Sequence, residues 1–132
     1  MIQQVTLRMT APKSYVFTDG RTLDQLNPKE LLLASTLICT GITAMAILEK
    51  KRVTPSLLEI SLSGTLDTDT VQTISVFTSF QMTYRVACKD ATEQARASQA
   101  IDLTHEKHCG GIRMLEKVAP ITREVEITTT EQ

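Results

Sequence analysis

The sequence predicts an α+β fold in which a largely antiparallel sheet packs on one long central helix. Three observations support this prediction. Residues 27–51 form a long, almost wholly apolar helical stretch, apolar and polar residues alternate along segments on both sides of it, and two shorter helical patterns precede the last of these segments. Strand pairs set apart from helices in this order are typical of α+β proteins. For 132 residues we predict one domain spanning positions 1–132.

The first predicted elements are two short strands. Val5, Leu7 and Met9 alternate with polar residues, as in a strand with one buried face. The stretch "SYVFTDG" is a second strand that ends at the turn signal Asp-Gly. We expect the two strands to form a hairpin around Pro12.

The segment "NPKELLLASTLICTGITAMAILEKK" predicts the central helix. Asn27 is a candidate N-cap, and Pro28 suits the first helical position, where no backbone N–H is needed. The basic residues 50–52 and the following Pro55 mark its end, because cations favour a helix C-terminus and proline cannot continue a helix. The predicted helix is therefore about 23 residues long.

The apolar character of this helix raises the possibility of a membrane span. Its uncharged run, residues 31–48, reaches the lower limit of about 18 residues for crossing a bilayer. Hydroxyl-bearing residues interrupt the run, and every other segment has the amphipathic pattern of a soluble domain. A helix that is apolar nearly all round also suits the centre of a packed protein or dimer, so we expect no membrane association.

A second strand pair follows the helix. Apolar residues alternate along positions 58–66, and the pattern breaks at "DTDT". A long return strand then alternates from Ile74 to Val86. This pattern predicts a hairpin with one buried face.

The remaining segments predict two helices and a final strand. "DATEQARASQAI" opens with Asp90 and Glu93 in a capping-box pattern, and "CGGIRMLEKV" predicts another short helix. The last strand alternates along residues 121–127, and we expect the polar end "TTTEQ" to fray.

Composition argues against several classes of function. The net charge of −1 balances 14 basic against 15 acidic residues, and no basic run could follow a phosphate backbone, so we expect no nucleic-acid partner. The N-terminal "MIQQVTLRMT" lacks the apolar core of a secretory signal. We therefore expect a cytoplasmic location, where thiols stay reduced. Three cysteines without CxxC spacing predict neither a disulfide framework nor a zinc knuckle.

Cys39 is the first candidate functional residue. It stands in the middle of the central helix beside Thr36, Thr40 and Thr43, which share a narrow arc of the helix surface. The local pattern favours a packed core thiol, because cysteine is among the most buried residue types. A reactive thiol at this position would need a cation from elsewhere, because the helix dipole gives little help in mid-helix and apolar surroundings disfavour a thiolate.

Arg21, in the loop before the helix, is the first candidate for this cation, with Lys29 and Arg113 as substitutes. Glu30 could hold an arginine in place, because a carboxylate and a guanidinium pair in a fork geometry. Glu30 stands nine positions before Cys39, which places it on the opposite face of a straight helix and about 13 Å away along the axis. Its role would therefore run through the arginine or across to a partner subunit.

The second candidate is Cys109 in "THEKHCGGIRML". If it lies in the first turn of the following helix, the exposed N–H groups and the positive dipole end favour its thiolate. His105, His108 and Cys109 offer three metal donors but lack a well-spaced fourth. We favour solvated loop positions for both histidines and expect no metal or cofactor. Cys88 is expected to pack or to be partly exposed and is given no role.

The two cysteine segments together resemble the OsmC/Ohr family of thiol-dependent hydroperoxide reductases. The stretch from Asn27 to Lys51 is similar to the first motif of that family, an Asn-Pro-x-Glu-Leu helix start followed by small and apolar residues and a reactive cysteine. "HEKHCGGIRMLEKVAPI" is similar to the second motif, in which another cysteine opens a short helix. The order of predicted elements also agrees, so the resemblance spans essentially the whole domain.

The resemblance implies an OsmC-like fold in an intertwined homodimer, with the long helices of both subunits packed inside it. Cys39 would attack the O–O bond of an organic hydroperoxide and pass to a sulfenic acid. Cys109 would condense with it to a disulfide, which a dithiol reductant would then reduce. By the same resemblance, Arg21 and Glu30 would complete the catalytic site.

Two departures place the chain nearer the more divergent OsmC-like branch. In the best-characterised branch the glutamate stands ten positions before the cysteine, where this sequence has Lys29, and the N-terminal arginine motif is not clearly present. A cysteine-based peroxidase is therefore one hypothesis. The alternatives are a non-catalytic dimer that binds a small molecule or is associated with stress, and a structural interaction protein.

Overall fold

The structure, a computed structural model, describes residues 1–129, and over this range the chain forms a five-stranded sheet and three α-helices. In chain order the elements are β1 (Ile2–Ala11), β2 (Ser14–Phe17), α1 (Pro28–Lys50), β3 (Leu57–Leu66), β4 (Phe77–Cys88), α2 (Ala91–Leu103), α3 (Gly110–Glu116) and β5 (Ile121–Thr129). The predicted α+β class and the order of elements are confirmed.

The sheet has the strand order β2-β1-β3-β4-β5. The first three neighbouring pairs are antiparallel, as predicted, whereas β5 lies parallel to β4. A parallel pair needs a long crossover connection, which here contains α2 and α3. Leu7, Ile60 and Tyr84 are register neighbours on β1, β3 and β4, and all three are fully buried. They mark the sheet face that forms the core.

The start of α1 follows from its sequence. The Asn27 side chain accepts a hydrogen bond from the backbone N–H of Glu30, and the Glu30 carboxylate accepts one from the backbone N–H of Asn27. This reciprocal capping box satisfies two of the N–H groups that a helix start leaves unpaired. The predicted N-cap, the proline at the first helical position and the length of 23 residues are confirmed.

The buried side of α1 lies on the sheet. Leu33, Leu37 and Leu48 are fully buried there. Gly41 lets β1 approach closely, because a Cβ at this position would lie 2.5 Å from Sδ of Met9. Within residues 1–129, α1 is the one helix long and apolar enough to cross a bilayer, and its buried side packs on the sheet and on α2 and α3.

The start of β4 and the capping of α2 differ from the prediction. β4 begins at Phe77 rather than Ile74, because Asp67 and Val76 hydrogen-bond across the loop, whose Ile74 side chain is 78% exposed. The capping box of α2 is half formed. The Asp90 side chain accepts from the backbone N–H of Glu93, but the Glu93 carboxylate accepts from the N–H of Lys89 instead of that of Asp90.

The end of the chain also differs from the prediction. Residues 128 and 129 do not fray but continue β5 beside the end of β4. The other residues of "TTTEQ", 130–132, lie outside the described part of the chain.

Candidate functional site

Cys39 and Cys109 meet where α1 passes the start of α3. The Sγ atoms lie 3.5 Å apart, and the Cys109 thiol donates to the Cys39 sulfur. Cys109 is fully buried, whereas Cys39 is partly exposed. A short approach of the two sulfurs would bring them to the bonding distance of a disulfide.

The segment before α3 delivers Cys109 to this contact. A π-helical turn, Thr104–His108, follows α2, and the backbone N–H of Cys109 closes it on the carbonyl of Thr104 at 3.0 Å. Cys109 itself has an extended backbone, and α3 begins at the next residue. Gly111 then packs directly against α1, because a Cβ there would lie 3.3 Å from Cα of Thr36 and 3.4 Å from Cβ of Cys39.

We expect Gly111→Ala to slow formation of the Cys39–Cys109 disulfide, because the added methyl group meets the backbone of α1, which cannot move aside as a flexible side chain can. The measurement is the rate of disulfide formation in the reduced protein after addition of diamide, an oxidant that couples thiols. Gly110→Ala is the matched control, since a Cβ at Gly110 meets no atom within 4 Å. Equal rates in the two variants would contradict this account of the contact.

The sequence suggested that the surroundings of Cys109 would favour its thiolate. In the structure their net effect is the opposite. Burial raises the pKa of the Cys109 thiol above its ordinary value, although hydrogen bonds from the Thr40 hydroxyl and the backbone N–H of Ile112 act in the opposite direction. The N–H of Ile112 at the helix start favours the thiolate as expected, but the net direction of the pKa shift is upwards. The helix has only seven residues, and loss of hydration outweighs the help from its N–H groups.

Arg21 and Glu30 form the pair expected from their chemistry. The Arg21 Nη1 and Nη2 atoms lie 3.2 Å and 2.9 Å from the two carboxylate oxygens of Glu30, in a fork geometry. Nε of Arg21 also donates to Asp19 at 2.7 Å. Partial burial alone would raise the pKa of Glu30, but the hydrogen bonds from Arg21 and from the Asn27 N–H outweigh it and leave that pKa below its ordinary value.

The structure does not bring the candidate cations to Cys39. Arg21 pairs with Glu30 and Asp19. Nζ of Lys29 lies 3.4 Å from the carbonyl oxygen of Thr73. Arg113 donates to backbone carbonyls and to a glutamate of its own helix. Among the hydrogen bonds and ion pairs of residues 1–129, none joins a basic side chain to Cys39. A cation at this thiol would have to come from a rearranged loop or from a second subunit.

The Arg21–Glu30 pair predicts how stability depends on pH. Because the pKa of Glu30 is lower in the folded protein, the pair stabilises the fold above the ordinary carboxyl pKa of about 4.3, and this contribution is lost as the pH falls through the folded value. We expect Glu30→Gln to lower the free energy of unfolding by about 1 kcal/mol at neutral pH. Glutamine keeps the capping box, so this substitution chiefly removes the charge.

Urea unfolding of wild type and Glu30→Gln at neutral pH and near pH 3 measures this effect. The difference between the two proteins should shrink at the lower pH, because protonation of Glu30 weakens its pair with Arg21. A difference that is independent of pH would show that the ion pair does not contribute.

His105 is buried, which corrects the expected solvated loop. The π-helical turn directs its ring inward, where Nδ1 lies 2.7 Å from the hydroxyl of the buried Tyr84. Burial lowers the pKa of His105 and raises that of Tyr84, which favours a neutral imidazole beside a protonated tyrosine hydroxyl. Sequence periodicity gives no sign of a π-helical turn, and this pair could not be anticipated. His108 is exposed, as predicted.

The predicted metal donors form no site in the described part of the chain, and Cys88 is buried. Within residues 1–129, no group of three His, Cys, Asp or Glu side chains is arranged to hold a metal ion. Cys88 is fully buried at the end of β4 rather than partly exposed, and burial raises the pKa of its thiol.

Comparison with known proteins gives a consistent set of similarities. A family profile described as OsmC-like protein matches residues 19–124. Protein YhfA from Escherichia coli K12 is 29% identical over 113 residues, which cover 85% of this chain and 81% of YhfA. Residues 19–124, matched by the family profile, include Arg21, Glu30, Cys39 and Cys109.

Solved structures resemble the fold over nearly its whole length. A hypothetical protein from Aquifex aeolicus superposes with a TM-score of 0.67 at 21% identity, covering 99% of this chain and 97% of that one. An organic hydroperoxide resistance protein, OsmC, from Legionella pneumophila superposes with a TM-score of 0.59 at 12% identity, covering 94% and 96% of the two chains. At these identities the likeness establishes the fold.

Proposed function

Because this chain belongs to the OsmC-like protein family, we propose that it is a thiol-dependent peroxidase that reduces organic hydroperoxides and so protects against oxidative stress. The observation that carries the proposal is the 3.5 Å contact between the sulfurs of Cys39 and Cys109. Their unequal exposure suits two different roles. A partly exposed thiol can meet an organic peroxide, whereas a buried thiol beside it is placed to react with the oxidised form of the first.

The proposed reaction has three steps. The Cys39 thiolate attacks one peroxide oxygen, the O–O bond breaks, Cys39 becomes a sulfenic acid and the alkoxide leaves as an alcohol after taking a proton. The Cys109 sulfur then attacks Sγ of Cys39, and the S–O bond breaks to release water. A dithiol reductant, as in the reducing cytoplasm where we place the protein, restores both thiols and is itself oxidised to a disulfide.

Arg21 is the proposed cation for the departing alkoxide, and Glu30 is the residue that orients it. A guanidinium has five N–H donors, and the contacts with Asp19 and Glu30 use three of the nitrogen positions. Each Nη atom keeps one further N–H for a substrate oxygen. Because these donors do not reach Cys39 within one protomer, the proposal requires the second subunit.

A homodimer would supply that subunit. One side of α1 carries Leu31, Leu32, Ser35, Cys39, Ile42 and Ala46, residues that fall within about 100° of the helix circumference. Leu31 and Leu32 are 38% and 50% exposed in the protomer. We call these six residues the outer stripe of α1. An apolar stripe that surrounds the candidate nucleophile suits the same stripe of a second copy, with apolar walls for an organic peroxide between them.

We expect Leu32→Glu to convert the dimer to a monomer, because a carboxylate would be buried without a partner at the contact between the two stripes. Sedimentation velocity of wild type and variant measures the change. Val118→Glu, at an apolar position that is 58% exposed after α3, is the control and should leave the dimer intact. A monomeric wild type, or a Leu32→Glu variant that still dimerises, would refute this interface.

The direct test of the proposed function uses the reduced protein and one equivalent of an alkyl hydroperoxide. We expect loss of two thiols per alcohol formed, and peptide mass analysis should place the new disulfide between Cys39 and Cys109. Thiols that survive an excess of peroxide, or a disulfide to Cys88, would overturn the proposal.

A cavity favours the second candidate function, a non-catalytic protein that binds a small molecule. It has a volume of about 520 Å³, and its lining includes Met9, Met45, Val53 and Leu58 but neither Cys39 nor Cys109. Native mass spectrometry of the purified protein distinguishes the two functions. A retained ligand together with thiols that do not react with peroxide would favour binding.

A further inference from the structure

Thr40 has a single hydroxyl between two acceptors. Its Oγ1 lies 2.8 Å from the carbonyl oxygen of Thr36, one turn earlier in α1, and 3.3 Å from Sγ of Cys109. Thr40 is fully buried, so water does not compete for these contacts.

The hydroxyl can serve only one of these acceptors at a time, because it carries one proton. While Cys109 is a thiol, the Thr40 hydroxyl donates to the Thr36 carbonyl, and the S–H group of Cys109 donates to the Cys39 sulfur. The Thr36 carbonyl also accepts the backbone N–H of Thr40, as in any α-helix. Rotation of the hydroxyl towards sulfur therefore leaves no buried group without a partner.

Cys109 needs such a donor when it reacts. Its thiol must lose a proton to attack, and burial works against the resulting anion. The hydrogen bond from Thr40 acts in the opposite direction, and among the ion pairs and hydrogen bonds of residues 1–129 no basic side chain contacts this sulfur.

We propose that Thr40 stabilises the attacking thiolate of Cys109 by turning its hydroxyl from the Thr36 carbonyl to the Cys109 sulfur. This inference rests on the proposed function, since the attack is on the sulfenic acid of Cys39. In the step the S–S bond forms from the electron pair of the Cys109 sulfur, and the S–O bond of Cys39 breaks. The leaving hydroxide takes up the proton that Cys109 lost, and the product is water.

The proposal is tested by removing the hydroxyl in two ways and restoring it in one. Thr40→Val keeps the shape of the side chain, Thr40→Ala adds no bulk, and Thr40→Ser returns the hydroxyl. Thr36→Val is the matched control, because the Thr36 hydroxyl bonds back to the carbonyl of Leu32 in the same way without contacting a sulfur.

Single-turnover mixing with an alkyl hydroperoxide follows formation of the disulfide as a function of pH. We expect Thr40→Val and Thr40→Ala to slow this phase by roughly tenfold to a hundredfold at neutral pH, as for loss of a hydrogen bond to a charged group, and to move its pH midpoint upwards. Thr40→Ser should restore the wild-type profile. The proposal is overturned if the midpoint stays in place, if Thr36→Val has the same effect, or if serine does not rescue.

A second measurement separates this proposal from the peroxidase function. In a Cys39→Ala background, the reaction of Cys109 with methyl methanethiosulfonate reports its thiolate directly, without any peroxide. Thr40→Val in this background should again raise the pH midpoint, and an unchanged midpoint would refute the role of Thr40. If the pH midpoint rises but peroxide oxidises neither thiol of the wild type, the peroxidase proposal fails. The stabilisation of the Cys109 thiolate by Thr40 is then still supported.

Discussion

Replacing Cys39 with serine is expected to lower hydroperoxide reduction by at least about a thousandfold, because a hydroxyl is a far weaker nucleophile than a thiolate near neutral pH. The two side chains differ by one atom, and position 39 is partly exposed on the outer stripe of α1, so the fold should tolerate the change. The measurement is consumption of an alkyl hydroperoxide with dithiothreitol as the reductant.

Cys88→Ala is the matched control for this variant. Cys88 is fully buried at the end of β4, on an element that does not belong to the contact between Cys39 and Cys109. The control should keep the wild-type rate once its folding has been checked by circular dichroism. A Cys39→Ser variant that retains a tenth of the wild-type rate would rule out Cys39 as the nucleophile.

Replacing Cys109 with alanine is expected to change the product of oxidation rather than to prevent oxidation. Cys39 can still reach its sulfenic acid, but no second thiol remains 3.5 Å away to capture it. Further peroxide then takes Cys39 to the sulfinic and sulfonic acids, which a dithiol does not reduce. Activity should therefore decay with each turnover, whereas the wild type should cycle.

Mass spectrometry of the oxidised proteins distinguishes these outcomes. The wild type should lose two hydrogens, and the variant should gain oxygen at Cys39. Alanine is chosen because Cys109 is fully buried, where a serine hydroxyl would need a new hydrogen-bond partner. A variant that cycles as long as the wild type, with no oxygen on Cys39, would show that Cys109 does not resolve the sulfenic acid.

Local patterns predicted most of the fold. The start of α1 could be read from Asn27, Pro28 and Glu30, because a helix N-terminus is decided by hydrogen bonds within four residues. The register of apolar residues predicted which face of the sheet is buried, since side chains alternate along a strand. Ile74 departed from this pattern because the hydrogen bonds of the loop, rather than hydrophobicity, decide where β4 begins.

Local sequence patterns predicted less of the candidate site. The distance between Cys39 and Cys109 depends on the whole path of the chain from α1 through β3, β4 and α2, and only the resemblance to a family pointed to the pair. The inward ring of His105 depends on a π-helical turn that has no sequence signature. The pKa of Cys109 depends on burial by other elements, which the sequence of its own helix does not predict.

The crossover between β4 and β5 has a consequence for the chain during its synthesis. Cys39 and the outer stripe of α1 leave the ribosome long before Cys109, which lies beyond the β3–β4 hairpin and α2. An incomplete chain therefore carries Cys39 without Cys109, the thiol proposed to capture its sulfenic acid. Because domains fold as units, the proposed protection of Cys39 by Cys109 would exist only in the finished protein. If Cys39 is the nucleophile, a chain stalled before residue 109 would be open to irreversible oxidation.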